Sequence, residues 1–319
     1  MATSADNILK ESPLSTTENL DFEGTFILVK TIGRGRSSLV YQAERAQLGS
    51  GARPERMLRK NSLGASSASS ASLALKVITC SAKEQERARQ LLRHEATVSL
   101  LLDHENIIQV FDYVTSAPPF YLAMEFAEKG DLRSLLFHND RPFAVVTVLD
   151  YLRQVTLGLE HLHRFGIIHG DIKPDNLLVT SKDTVKIADF GTALLPFSDF
   201  PSEEISRGVG TFDYLSPEIF QGRGICEASD LYSLGVTGYQ LATGSLPFEG
   251  SSMLAKLDKK LKGHTSSLRT FIPGVPESFE TLLARALEPD PLRRFQSAVE
   301  MRRAIDLCID EIRAKESWG

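Results

Sequence analysis

His169-Gly170-Asp171-Ile172-Lys173-Pro174-Asp175-Asn176 sets two carboxylates, an ammonium and a carboxamide within a few positions, and Asp189-Phe190-Gly191 follows thirteen residues after Asn176. Between them lie two short apolar runs, Leu177–Val179 and Val185–Ala188, which read as a hairpin. Carboxylate and amide oxygens are the hard donors that Mg²⁺ favours. Chance placement of both polar motifs around such a hairpin is improbable. The segment therefore reads as a chemical site and not as an ordinary polar loop.

Upstream of this hairpin the pattern is strand-rich. Phe26 to Lys30 and Leu39 to Glu44 read as strands joined by the glycine-containing turn Gly33-Arg34-Gly35-Arg36-Ser37-Ser38. Residues 46–72 switch to small and basic residues, a low-complexity surface insertion ahead of the apolar run Leu73–Ile78. Leu91, Leu92, Glu95, Val98 and Leu102 recur at three- and four-residue spacings and predict a helix over 83–102. Short extended runs follow at Ile107–Val114 and Phe120–Glu125. After Gly130 the periodicity lengthens and predicts helices over 131–137, 146–166, 229–243, 277–287 and 297–313. A strand-rich first third and a helix-rich remainder imply an α+β, two-lobed chain. Residues 1–21, polar and without periodicity, read as a mobile tail, and 313–319 as the C-terminal end.

Composition narrows the class without choosing a partner. The 319 residues are 42% hydrophobic and 24% charged, ample for a packed core. A net charge of -5 excludes a chain-wide commitment to nucleic acid or to an anionic membrane surface. Cys80, Cys226 and Cys308 lie far apart with no Cys-x-x-Cys pattern, so free thiols are expected and a zinc site is not. The N-terminus lacks a basic segment followed by an apolar one, and no apolar run is long enough to span a bilayer. A cytoplasmic location with no membrane segment is the resulting expectation.

From about Phe22 to Leu307 the motifs occur in the order and at the spacing of the eukaryote-like (Hanks-type) protein Ser/Thr kinase family, which the chain closely resembles. The resemblance implies a kinase domain over 22–312, with a small β-rich N-lobe (22–127) carrying helix C and a larger helical C-lobe (128–312). Ile32, Gly33, Gly35 and Val40 resemble the glycine-rich lid, where missing Cβ atoms let backbone N–H groups approach phosphate. Ser38 stands at the family's third glycine position. Lys76 resembles the lysine that holds the α- and β-phosphates, and Glu95 its ion-pair partner. An isolated Lys or Glu is usually a solvated charge, but the apolar strand around Lys76 and the spacing from Glu95 to His104-Glu105-Asn106-Ile107-Ile108 match the family. Ser99 stands where a hydrophobic residue is usual. Met124, Glu125 and Ala127 resemble the strand and hinge that meet adenine, with Val40, Ala74 and Leu178 on its faces and Asp131 toward the ribose.

By the same resemblance Asp171 orients the acceptor hydroxyl and takes its proton, Lys173 contacts the transferring phosphate, and Asn176 and Asp189 hold the metal. Lys173 and Thr211 favour Ser/Thr over Tyr as acceptor. Ser216-Pro217-Glu218 replaces the usual Ala-Pro-Glu, and Glu218 is expected to pair with Arg294. Asp230 resembles the buried aspartate that braces the catalytic loop. Asp290–Met301 is similar to bacterial members in particular. The implied cofactors are ATP and Mg²⁺, with Mn²⁺ a substitute. The implied partners are protein substrates, a transient dimer being compatible.

One departure bears on control. Gly170 replaces the arginine that usually clamps a phosphorylated activation segment, so phosphorylation at Thr192, Ser198, Ser202 or Ser206 is not expected to be the main on-switch unless Arg207 substitutes. Ser62, after Arg59-Lys60-Asn61, fits a basic-then-serine phosphorylation pattern, although a solvated linker is the plainer reading. A pseudokinase or scaffold would require the Ser38, Ser99 and Gly170 departures to be disabling. A small-molecule kinase would not need Lys173, Thr211, Ser216-Pro217-Glu218 and Arg294.

Overall fold

The computed structural model describes residues 25–35, 37–46, 72–139, 141–196 and 212–316. The mobile-tail and insertion readings, Ser62, Ser198, Ser202, Ser206, Arg207 and Thr211 lie outside the described residues. Two compact units emerge, one holding the described residues through Arg89 with Phe111–Met124, the other Gln90–Val110 and the described residues from Glu125 onward.

The first unit is built on a five-stranded sheet ordered β1-β2-β3-β5-β4: β1 (Phe26–Arg34), β2 (Ser38–Arg45), β3 (Leu73–Ile78), β4 (Val110–Val114) and β5 (Tyr121–Glu125). Period-two alternation sends Leu73, Leu75 and Val77 to one face, where they bury with Phe26, Tyr41, Ala43, Tyr121 and Ala123. Phe26 and Tyr121 meet edge to face at 5.4 Å. β1 runs on through Gly33 to Arg34. The turn is therefore shorter than the glycines alone suggested.

Helix α1 (Ala82–Leu100) begins in this unit and ends in the second. There the chain continues through β6 (Gly130–Asp131), α2 (Leu132–His138), α3 (Val145–Arg164), the hairpin β7 (Leu177–Val179) and β8 (Val185–Ile187), α4 (Pro217–Phe220), α5 (Glu227–Thr243), α6 (Met253–Lys262), α7 (Leu268–Phe271), α8 (Glu277–Ala286) and α9 (Ala298–Glu316). Helix α5 is buried nearly all round. Two of its glycines allow this close packing: a Cβ at Gly235 would come within 2.8 Å of Ala286 Cβ, and one at Gly238 within 2.8 Å of Leu152 Cδ1.

The five helices expected after Gly130 all form, with ends displaced by at most three residues, and α9 runs to Glu316. Helix α6 was not anticipated. Its lysines mask the apolar spacing, yet Ser252 caps its start by accepting from the Ala255 amide and Gly263 ends it at φ +66°.

Candidate active site

The central loop starts from a helix stop. After α3, Gly166 turns the chain at φ +67°, and Ile168 pairs with Leu194: the Ile168 amide donates to the Leu194 carbonyl at 3.1 Å and the Leu194 amide to the Ile168 carbonyl at 2.8 Å. That bridge fastens the chain following Asp189-Phe190-Gly191 to the start of the loop.

Beneath it, Asp230 on α5 is buried and accepts three N–H groups. Its Oδ2 takes the His169 amide at 2.9 Å and His163 Nε2 at 3.0 Å, and its Oδ1 takes the Gly170 amide at 2.8 Å. The three donors satisfy oxygens that burial would otherwise leave without partners. His169 has one compatible neutral tautomer, because Nε2 faces the Ala188 carbonyl at 3.1 Å while Nδ1 accepts the Asp171 amide at 3.2 Å. Phe190 closes on the same imidazole with ring centroids 5.2 Å apart.

On this base sits the reactive cluster. Asp171 Oδ2 lies 2.5 Å from Lys173 Nζ and accepts from Asn176 Nδ2 at 2.9 Å. The same Asn176 nitrogen donates to the Asp171 carbonyl at 2.8 Å. With its nitrogen so engaged, Asn176 presents its oxygen as the end suited to a cation. Burial pushes the Asp171 carboxyl above its ordinary range, and the charge and hydrogen bond of Lys173 pull it back. Asp189 is held in the left-handed region at φ 65°, ψ 75°, where its Oδ1 stands 3.4 Å from where a Cβ on Gly191 would lie. The Ala188 amide donates to the Asn176 carbonyl at 2.9 Å, joining the two ends of the hairpin. Among the described residues no group of three or more His, Cys, Asp or Glu could hold a metal. A cation at Asn176 and Asp189 would thus bring most of its own ligands, as one bound to nucleotide phosphates does.

The other expected site residues of the second unit have local partners. Glu95 is buried, and the Ser99 hydroxyl donates to its carbonyl at 2.8 Å, which explains how a serine tolerates that buried helical position. Next to it, His94 Nε2 lies 2.7 Å from the Ala193 carbonyl. The Glu125 amide is taken by the Gln109 carbonyl at 2.8 Å, so a bond from Glu125 to a base must come from its carbonyl. Ala127 is buried and its carbonyl accepts the Gly130 amide at 3.2 Å. Asp131 pairs with Leu178 across β6 and β7, and its carboxylate caps α2 through the Ser134 amide and hydroxyl, both at 2.8 Å. That cap is a structural duty the sequence did not disclose.

In the first unit, Val40 stands opposite Gly33 on β1 and opposite Lys76 on β3. The Gly35 amide donates to the Ser38 carbonyl at 2.8 Å to close the turn. A Cβ on Gly35 would meet Ser38 Oγ at 2.9 Å, so the serine at the third glycine position keeps its observed rotamer because Gly35 has no side chain. Ala74 and Met124 are buried and Ile32 is exposed.

The expected pair of Glu218 and Arg294 forms as a buried two-pronged bridge, with Nη2 to Oε2 at 2.6 Å and Nη1 to Oε1 at 2.9 Å. Burial works against the Glu218 carboxylate, but Arg294, helped by the Ser229 hydroxyl at 2.6 Å, holds its pKa below the ordinary range. Sequence reasoning passed over His163. Its only local signal was a histidine in the last turn of a helix, an ordinary place for one.

A family model described as the protein kinase domain matches residues 26–304. The serine/threonine-protein kinase Pkn1 of Myxococcus xanthus is 32% identical over 292 residues, 90% of this chain and 39% of the relative. PrkC of Bacillus subtilis, also a serine/threonine-protein kinase, is 30% identical over 244 residues, 76% of this chain and 37% of the relative. PknL of Mycobacterium bovis, named likewise, is 35% identical over 248 residues, 76% of this chain and 61% of the relative. The chain spans about two fifths of the length of the first two.

Proposed function

The chain belongs to the protein kinase family, and on that premise we propose that it transfers the γ-phosphoryl group of ATP to Ser or Thr hydroxyls of protein substrates. The observation that carries the proposal is the hydrogen-bonded cluster of Asp171, Lys173 and Asn176, held over Asp230.

In this reading Asp171 Oδ accepts the acceptor hydroxyl's proton as the oxygen forms its bond to the γ-phosphorus, and the bridging P–O bond breaks to release ADP. Lys173, already on Asp171, supplies positive charge to the transferring phosphoryl group. Lys76 is assigned to the α- and β-phosphates, and Glu95 is retained as the acidic residue that the family resemblance implies. Ile32, Val40, Ala74, Met124, Glu125, Ala127 and Leu178 are assigned to the base, Gly33 and Gly35 to the phosphates, and Asp131 to the ribose. A divalent cation, Mg²⁺ in our reading, would be held by Asn176 and Asp189 and would neutralise phosphate charge. Among the described residues no helix is long and apolar enough to cross a membrane. The three cysteines are free thiols, which supports a reducing, cytoplasmic setting.

The deciding experiment incubates the purified chain with Mg²⁺-ATP and generic protein substrates beside Asp171→Asn. Loss of the positioned base should lower the rate about 10²- to 10⁴-fold. Equal transfer by the two proteins would refute the proposal, and absence of transfer by both would favour a scaffold.

A further inference from the structure

Phe212, Asp213, Tyr214 and Leu215 form a turn that leads into Ser216 and α4. Main-chain carbonyls in such a turn need partners from elsewhere when buried. All four find one. Ser233 Oγ on α5 donates to the Tyr214 carbonyl at 2.9 Å. The other three converge on a single side chain: Lys260 Nζ lies 3.1 Å from the Phe212 carbonyl, 2.7 Å from that of Asp213 and 2.8 Å from that of Leu215.

Lys260 projects from α6 and is 0% exposed, a rare position for a lysine. An ammonium carries three N–H donors, and three carbonyls meet them. Its charge also faces the rings of Phe212 and Tyr232, each 5.5 Å away, and of Phe248 at 5.7 Å. One turn earlier on the same helix, Lys256 binds Asp213 Oδ1 at 2.7 Å. Desolvation pushes the Lys260 pKa down to about 7, with Asp213 opposing it. A plain core brace would share its bonds among the packed helices. Here every hydrogen bond of the ammonium goes to one four-residue turn.

We propose that Lys260 is a positioning residue that fixes the main chain of Phe212–Leu215, the turn leading into Ser216-Pro217-Glu218, a segment that the kinase reading assigns to protein rather than small-molecule substrates. The inference rests on the protein-kinase reading and deepens it. Removing the side chain takes this donor from three carbonyls, that of Leu215 buried and those of Phe212 and Asp213 partly so, and the turn must shift until water or another group satisfies them. The cluster around Asp171 hangs instead on Asp230 and Asn176 and has no bond to Lys260.

The test compares wild type, Lys260→Met and Ser233→Ala in the full chain. The readouts are hydrogen exchange of the 212–216 amides and separate Michaelis constants for ATP and for one protein substrate. For Lys260→Met, exchange in 212–216 should rise selectively and the KM for protein should increase about tenfold, with the KM for ATP within about twofold of wild type. Ser233→Ala, which removes the hydroxyl on the Tyr214 carbonyl, should move both readouts in the same direction by about threefold, and if Lys260→Met does not fold, Lys260→Gln, which keeps two of the three N–H donors, takes its place with smaller shifts in the same direction expected. Unchanged exchange at 212–216 would overturn the proposal, as would parallel changes in both KM values. If wild type modifies no protein, the kinase reading has failed, and the exchange data still determine whether Lys260 holds the turn.

Discussion

The amide of Gly170 donates to Asp230 Oδ1 at 2.8 Å while Gly170 holds φ +76°. The left-handed backbone and the buried carboxylate fix one another. A side chain here would carry the left-handed penalty, and its Cβ would stand 3.1 Å from Ile225 Cδ1. Gly170→Ala should therefore cost about 1–2 kcal/mol. A thermal midpoint unchanged from wild type would contradict this account.

Asp171 and Lys173 make activity depend on pH in a defined direction. The base must be ionised, so activity falls as pH drops through the Asp171 pKa. Burial raises that pKa and Lys173 opposes the rise. Lys173→Met removes the opposing charge, so the acid limb of kcat/KM should move to higher pH as the maximal rate falls. An acid limb that stays in place, or moves to lower pH, would mean that Lys173 does not set the state of Asp171.

Much of this site could be read in the chain because its chemistry is local. Asp171, Lys173 and Asn176 lie within one turn of loop and need few long-range contacts to meet, and Asp189 follows across a short hairpin. The pairing of Glu218 with Arg294 was also legible, although only by resemblance, since nothing local links positions so far apart. Lys260 was not legible. In Lys259-Lys260-Leu261-Lys262 it resembles a solvated charge, and its burial depends on three carbonyls more than forty positions upstream. The duty of Asp131 as a helix cap was hidden for another reason: a residue with one recognised role gives no sign of a second.

The bridge between Glu218 and Arg294 should behave as a buried pair. Arg294 also donates to the carbonyls of Glu288, Ala228 and Pro289, at 2.7, 3.1 and 3.0 Å. Arg294→Met strands the Glu218 carboxylate and should cost about 3–5 kcal/mol, read as a fall in urea midpoint. Glu218→Gln keeps the shape and one acceptor and should cost less. Equal losses would show that the charge on Glu218 contributes as much as the whole guanidinium network.

Lys260 gives stability a pH dependence of its own. Its pKa falls from the ordinary 10.5 to about 7 in the folded chain, chiefly through burial. Between those values the unfolded chain binds the extra proton, so this residue's contribution to stability rises with pH, by at most about 1.4 kcal/mol per unit. Below the lower value both states are charged and the dependence disappears. Asp213, Lys256 and Glu218 also act on this ammonium, and all three remain in Lys260→Met. Subtracting the variant's unfolding free energy from that of wild type therefore isolates the one titration. The difference should be nearly flat from about pH 5.5 to 6.5 and climb from about 7 to 9. A difference that stays level to pH 9 would mean that the three carbonyls and three rings hold the ammonium fully charged despite its burial.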